Sequence, residues 1–136
     1  MKRIFAVLLF AFASIVVVPA HASNDENSLV GVYNGRFAPP GKDLKFDNVP
    51  GMRIEIQSQK GETITGVATF YGIYCVGEFS FSGTATGSSL QFVTVATDRC
   101  YPKTFRLSRE GKILKGEFTV TMKAGGVVEY TVKVSK

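Results

Sequence analysis

The chain has 136 residues, of which 45% are hydrophobic and 20% are charged, and it carries a formal net charge of +5 at pH 7. This length fits one domain with one hydrophobic core. The charged residues are scattered without a run of one sign, so the composition does not indicate a nucleic-acid-binding protein.

The first 22 residues have the features of a secretory signal peptide. Lys2 and Arg3 give a positive start, an apolar run covers residues 4–18, and Ala20 and Ala22 form a small-x-small cleavage site. The apolar run is 15 residues long, whereas a membrane-spanning helix needs roughly 20. We therefore expect cleavage after Ala22, a periplasmic or secreted protein without a membrane span, and a mature net charge of +3.

Both cysteines of the chain, Cys75 and Cys100, fall in the mature part. In an oxidising, exported compartment an even pair of cysteines favours a disulfide. With 24 residues between the two positions, chain entropy gives such a bond a stabilising effect of about 3 kcal/mol.

After a polar, flexible leader over residues 23–28, the sequence shows eight short runs in which apolar and polar residues alternate. Such alternation is typical of half-buried strands, and no segment after the signal has a helical period. We expect a single domain over residues 29–136. The predicted strands cover residues 29–37, 52–59, 62–71, 77–86, 89–97, 103–109, 112–123 and 127–134.

The alternation gives the predicted sheet one dry face and one wet face. In the fourth strand, for example, Phe79 and Phe81 lie opposite Glu78 and Ser80. Such a pattern describes an antiparallel sheet curled around a core, and glycines on the dry face permit the bending that barrel closure requires. The dry face of the clearly alternating strands carries no charged residue. The large side chains expected inside the barrel are Tyr33, Phe37, Phe70, Phe79, Phe81, Phe92, Phe105 and Phe118.

The lengths of the connections predict which loops lie at which end of the barrel. Short turns follow the second, fourth and sixth strands, and longer loops follow the first, third, fifth and seventh. In an up-and-down meander, alternate connections lie at opposite ends of the barrel. All the longer loops therefore share one end, here called the long-loop end, and this topology brings Cys75 and Cys100 to the same end.

The predicted fold is all-β: an eight-stranded antiparallel up-and-down meander that closes into a small soluble barrel. Charged residues on the outward face distinguish it from an outer-membrane pore, whose exterior is apolar. The architecture resembles that of lipocalins and avidin-like proteins, and Gly31-Val32-Tyr33 resembles the Gly-x-Trp start of lipocalins with tyrosine in place of tryptophan. The resemblance implies the architecture alone and transfers no ligand and no functional residue.

Catalytic residue types are scarce in the mature chain. The only histidine, His21, falls within the signal, so Ser-His-Asp and Cys-His machinery and histidine metal sites are not expected. The carboxylates are spread over outward faces and loops, without a pair placed to form an acid–base couple. We therefore expect a protein that is not an enzyme and that uses no metal and no cofactor.

Binding is the function that remains, and the long-loop end is the first candidate surface. Aromatic and cationic side chains together are suited to a flat or anionic small molecule or to a partner protein. The candidate binding residues are Phe46, Tyr71, Tyr74, Arg99, Tyr101 and Lys103.

Two alternatives stay open at this point. One is a carrier of a small hydrophobic ligand in the barrel interior, since eight strands enclose room for packed side chains or for one small ligand. The other is a periplasmic protein inhibitor, for example of a lysozyme. Lysozymes are generally basic, so a partner of charge +3 would be steered poorly toward one.

Overall fold

The computed structural model describes residues 28–41, 51–71 and 75–136. The predicted signal peptide and all of the polar leader except Ser28 lie outside these residues. Eight antiparallel strands form a closed barrel, which confirms the predicted fold class. The strands are β1 (Gly31–Ala38), β2 (Gly51–Lys60), β3 (Thr63–Phe70), β4 (Gly77–Thr86), β5 (Ser89–Thr94), β6 (Lys103–Glu110), β7 (Ile113–Thr121) and β8 (Val127–Ser135).

Each strand pairs with its neighbours in chain order, and β8 closes the barrel against β1 through a register that runs from Asn34↔Ser135 to Ala38↔Thr131. The largest difference from the predicted boundaries is at β5, which ends at Thr94 rather than at residue 97. Beyond that point the chain leaves β6, and the Thr94 hydroxyl accepts the backbone N–H of Lys103 at 2.9 Å.

The three short turns all lie at one end of the barrel and share one conformation. Each is a two-residue connection whose first residue is a glycine with positive φ, at 60° for Gly61 and Gly87 and 59° for Gly111. Glycine adopts this backbone conformation without steric cost, and two-residue hairpin turns depend on it. The predicted separation of short turns and longer loops is therefore correct.

Two inward glycines show what barrel closure demands of the sequence. A methyl group at Gly83 would overlap the carbonyl oxygen of Gln91 on β5, and one at Gly116 would overlap the carbonyl oxygen of Arg106 on β6. Gly116 also has a φ of 157°, which residues with a side chain rarely adopt. The neighbouring backbones approach too closely at these positions for any other residue.

Aromatic rings fill the barrel interior and touch one another in a continuous series. Phe92, Phe105, Phe118 and Tyr130 are direct partners on β5 to β8, with successive ring centroids 4.5, 4.9 and 4.9 Å apart. This aromatic cluster also includes four further rings, and every predicted inward ring is buried. The additional members are Phe37, Phe70, Phe79 and Phe81.

The short-turn end of the barrel is closed by the segment before β1. Leu29 is buried there, and its carbonyl oxygen accepts the Tyr33 hydroxyl at 2.9 Å. Lys136 donates from Nζ to the Ser28 carbonyl oxygen at 3.0 Å and lies 5.5 Å from the Tyr33 ring centroid. Burial raises the pKa of Tyr33, against the opposing influence of the positive charge on Arg109. The chain itself therefore closes this end of the barrel.

Candidate binding site at the long-loop end

The structure places the sulfur atoms of Cys75 and Cys100 at disulfide-bonding distance, with their Cα atoms 5.3 Å apart. The bond connects the segment before β4 to the β5–β6 loop. Within that loop the backbones of Thr97 and Cys100 hydrogen-bond to each other at 3.0 and 3.3 Å, so Arg99 lies in a tight turn. An open cleft of about 560 Å³ lies beside the disulfide. Its walls are Cys75, Val76, Gly77, Glu78, Phe79, Thr97, Asp98, Arg99 and Cys100.

Four of the six predicted binding residues are described, and the topology brings all four to the long-loop end; Phe46 and Tyr74 lie outside the described residues. Tyr71 follows β3 and is 50% exposed. Arg99 is also exposed, and Tyr101 is half-buried. Lys103 differs from these three, because it points into the barrel.

Lys103 is the first residue of β6, and its side chain is only 6% exposed. It shares the inward face of the strand with Phe105 and Leu107, which are both buried. The expectation that inward positions carry no charge holds for the clearly alternating strands and does not extend to β6. The alternation of Lys103, Phe105 and Leu107 in the sequence is the signal that identifies the inward position.

The Lys103 ammonium group lies among aromatic rings. Its Nζ is 4.8 Å from the Phe70 ring centroid and 4.7 Å from that of Phe79, and it donates to the Tyr101 carbonyl oxygen at 3.5 Å. Ring faces attract cations electrostatically. Burial also removes the ammonium group from water, and this desolvation lowers the pKa of Lys103.

The last inward layer of β6 to β8 is the mouth of the barrel, formed by Lys103, Val120 and Val128, which are direct partners across the three strands. Val120 is half-buried and Val128 is 38% exposed, so this layer is open to solvent on the β7–β8 side. The layer below it consists of Phe105, Phe118 and Tyr130. The mouth therefore combines one buried cation with an apolar wall and an aromatic floor.

Exposed apolar side chains concentrate at the same end. Of the eight large hydrophobic residues that are exposed in the described part of the chain, only Val30 lies at the closed end, and Val93 lies on the outer wall of β5. Of the six residues at this end, only Tyr71 is predicted from the sequence as a candidate binding residue, because polar–apolar alternation shows which face a residue such as Val128 occupies but not that the face is exposed at the end of the barrel. The six at the long-loop end are Tyr71, Val76, Val95, Met122, Val127 and Val128.

No protein-family model, curated protein or solved structure matches this chain. Its function is therefore inferred from the geometry of the long-loop end. Within residues 28–41, 51–71 and 75–136, no helix is long and apolar enough to cross a membrane. The same residues include no cluster of three or more His, Cys, Asp or Glu side chains that could hold a metal ion.

A pair of carboxylates lies on the outer wall of the barrel. Glu117 on β7 lies opposite Thr131, and Glu129 on β8 lies opposite Thr119, so the two glutamates are diagonal neighbours. A hydrogen bond to Glu117 raises the pKa of Glu129, and repulsion between the two charges raises it further. The sequence places both glutamates on outward faces but does not show that they are neighbours, because their contact depends on the register of β7 with β8.

This pair predicts a pH-dependent effect on stability. The pKa of Glu129 in the folded state lies above its ordinary value of 4.5, so the contact destabilises the fold increasingly as the pH rises through that range. We expect Glu129→Gln to raise the Tm at neutral pH and to leave it unchanged well below the ordinary pKa. Thermal unfolding at both pH values measures this difference. Glu78→Gln, on the outer wall of β4, is the control, and an equal Tm rise in both variants would contradict the assignment.

Proposed function

We propose that this protein is an exported, non-enzymatic binding protein that takes its ligand at the mouth of the barrel. The observation that carries the proposal is that six of the eight exposed large apolar side chains in the described residues lie at the end of the barrel that also holds the inward-facing Lys103. An exposed apolar patch on a small domain is typical of a binding surface. The opposite end is closed by Leu29 and Tyr33, whereas Met122 and Val128 are exposed among the described residues of the long-loop end.

The contents of the barrel favour the mouth over an internal ligand site. Ring centroids within the aromatic cluster lie between 4.0 and 6.2 Å apart, as in a packed protein core. Tyr33 and Phe105 are 0% exposed, and Phe118 is 1% exposed. A ligand therefore rests on the aromatic floor rather than replacing it.

The proposed export is supported by the signal-like N-terminus and by the cysteine pair. A disulfide that joins two loops is compatible with an oxidising compartment. The bond also supports the binding role, because it fixes the loop that leads from Arg99 to Lys103.

A neutral fluorescent dye, Nile red, tests the proposed apolar site. We expect its fluorescence to rise on binding the wild-type protein, and we expect the Met122→Ser/Val128→Ser double variant to weaken that binding several-fold. Val30→Ser/Val93→Ser is the matched control, because these side chains are 40% and 48% exposed, against 43% for Met122 and 38% for Val128. Equal losses in the two double variants, or no dye binding to the wild-type protein, would count against the proposed function.

A further inference from the structure

We propose that the ligand bound at the mouth is an organic anion with a flat apolar body, whose carboxylate pairs with Lys103. This inference rests on the proposed function and specifies its ligand chemistry. The apolar body lies against Val120 and Val128, and the carboxylate reaches the Lys103 ammonium group.

The backbone of β6 holds the lysine in place for this role. The Lys103 N–H is fixed by the Thr94 hydroxyl, and Thr94 is 1% exposed. From this anchored position on β6, the side chain reaches the rings of Phe70 on β3 and Phe79 on β4. The ammonium group therefore lies across the top of the aromatic cluster rather than on the outside of the barrel.

The ammonium group keeps donor capacity for a ligand. An ammonium group has three N–H donors. The one hydrogen bond that Lys103 Nζ donates among the described residues, to the Tyr101 carbonyl oxygen, is long at 3.5 Å and therefore weak. Among the described residues, ion pairs join Arg53 to Glu55 and Lys115 to Glu110, and neither involves Lys103. A carboxylate from outside the chain would supply the charge-assisted hydrogen bond that these contacts do not.

Stability alone does not account for a lysine at this position. Lys103 has no carboxylate partner among residues 28–41, 51–71 and 75–136. A buried cation without such a partner lowers stability, and an apolar side chain of similar length would pack against Phe70 and Phe79 without that cost. The inward positions of the clearly alternating strands carry no charge, and a single charged residue that faces the same interior is typical of a functional site. The chemistry that compensates a buried cation is an anion.

The side chains around the lysine indicate the chemistry of the part of the ligand that is attached to the carboxylate. The mouth offers methyl groups from Val120 and Val128 above the rings of Phe118 and Tyr130, and these surfaces bind flat apolar groups. A small inorganic anion would leave this apolar surface in contact with water. An aromatic or similarly flat carboxylate uses both the cation and the apolar wall.

Isothermal titration with two probes of one shape tests the inference: 2-naphthoate carries the carboxylate, and 2-naphthylmethanol is its neutral counterpart. We expect the wild-type protein to bind the carboxylate about tenfold or more tightly than the alcohol, as a charge-assisted hydrogen bond implies. In Lys103→Met the two affinities should become equal. Lys133→Met removes the same charge from the outer wall of β8 and should keep the preference.

The outcomes separate this inference from the proposed function. If wild-type protein binds the two probes equally, or if Lys103→Met keeps the preference, the assignment to Lys103 is overturned. Loss of the preference in Arg99→Gln would then place the anion at Arg99 instead. If the Nile red experiment succeeds and 2-naphthoate does not bind, only the anion chemistry fails. If neither Nile red nor either naphthyl probe binds, the proposed function fails with it. The comparison of the two probes on wild-type protein does not depend on any variant folding.

Discussion

Replacing Phe118 with alanine is expected to lower the free energy of unfolding by about 3–5 kcal/mol, the cost of truncating a fully buried aromatic side chain. The ring is 1% exposed and lies at the centre of the aromatic cluster. Its centroid is 4.9 to 5.6 Å from those of Phe37, Phe70, Phe105 and Tyr130. These rings come from four other strands, so the cavity cannot close without moving several strands of a closed barrel.

Equilibrium denaturation in urea measures this cost, with Val93→Ala as the control. Val93 is 48% exposed on the outer wall of β5, and its truncation should change the unfolding free energy by less than about 1 kcal/mol. Similar costs for the two variants would mean that the rings do not pack as described. The interior would then become a serious alternative as the ligand site.

Loss of the Cys75–Cys100 bond is expected to lower the free energy of unfolding by about 3 kcal/mol, because the bond closes a loop of 25 residues in the unfolded chain. For a domain of this size, that corresponds to a fall in Tm of about 10 °C. Thermal unfolding of the mature protein with and without reductant measures the effect.

The Cys75→Ser/Cys100→Ser variant provides the control for this experiment. Its Tm should match that of the reduced wild-type protein and should not respond to reductant. Titration of the unreduced protein with a thiol reagent gives an independent check. Two reactive thiols in that protein would contradict the disulfide.

The strands and the topology could be predicted because their causes are local. The polar–apolar alternation of β4 gave its boundaries correctly, since each residue reports which face of the sheet it occupies. Gly61, Gly87 and Gly111 marked the short turns to within one residue, because each provides the positive φ that its turn needs. Connection lengths then placed the two cysteines at the same end.

The candidate site was harder to predict, because it depends on contacts between distant strands. The alternation of β6 indicates the inward position of Lys103, but only the folded barrel brings Phe70 and Phe79 to its ammonium group. The Glu117–Glu129 contact likewise requires the register of β7 with β8. The sequence predicts a connection between β7 and β8 over residues 124–126. In the structure the turn is longer, and it is closed by a hydrogen bond from the Met122 backbone N–H to the Gly126 carbonyl oxygen.

The contact between Ser28 and Lys136 has a practical consequence for handling the protein. Because this contact lies at the sealed end, the chain enters and leaves the barrel on the side away from the mouth. A tag or surface tether attached after Lys136 therefore presents the mouth to the solution. Immobilised in this orientation, the barrel can be screened against mixtures of small molecules with the proposed binding site facing away from the support.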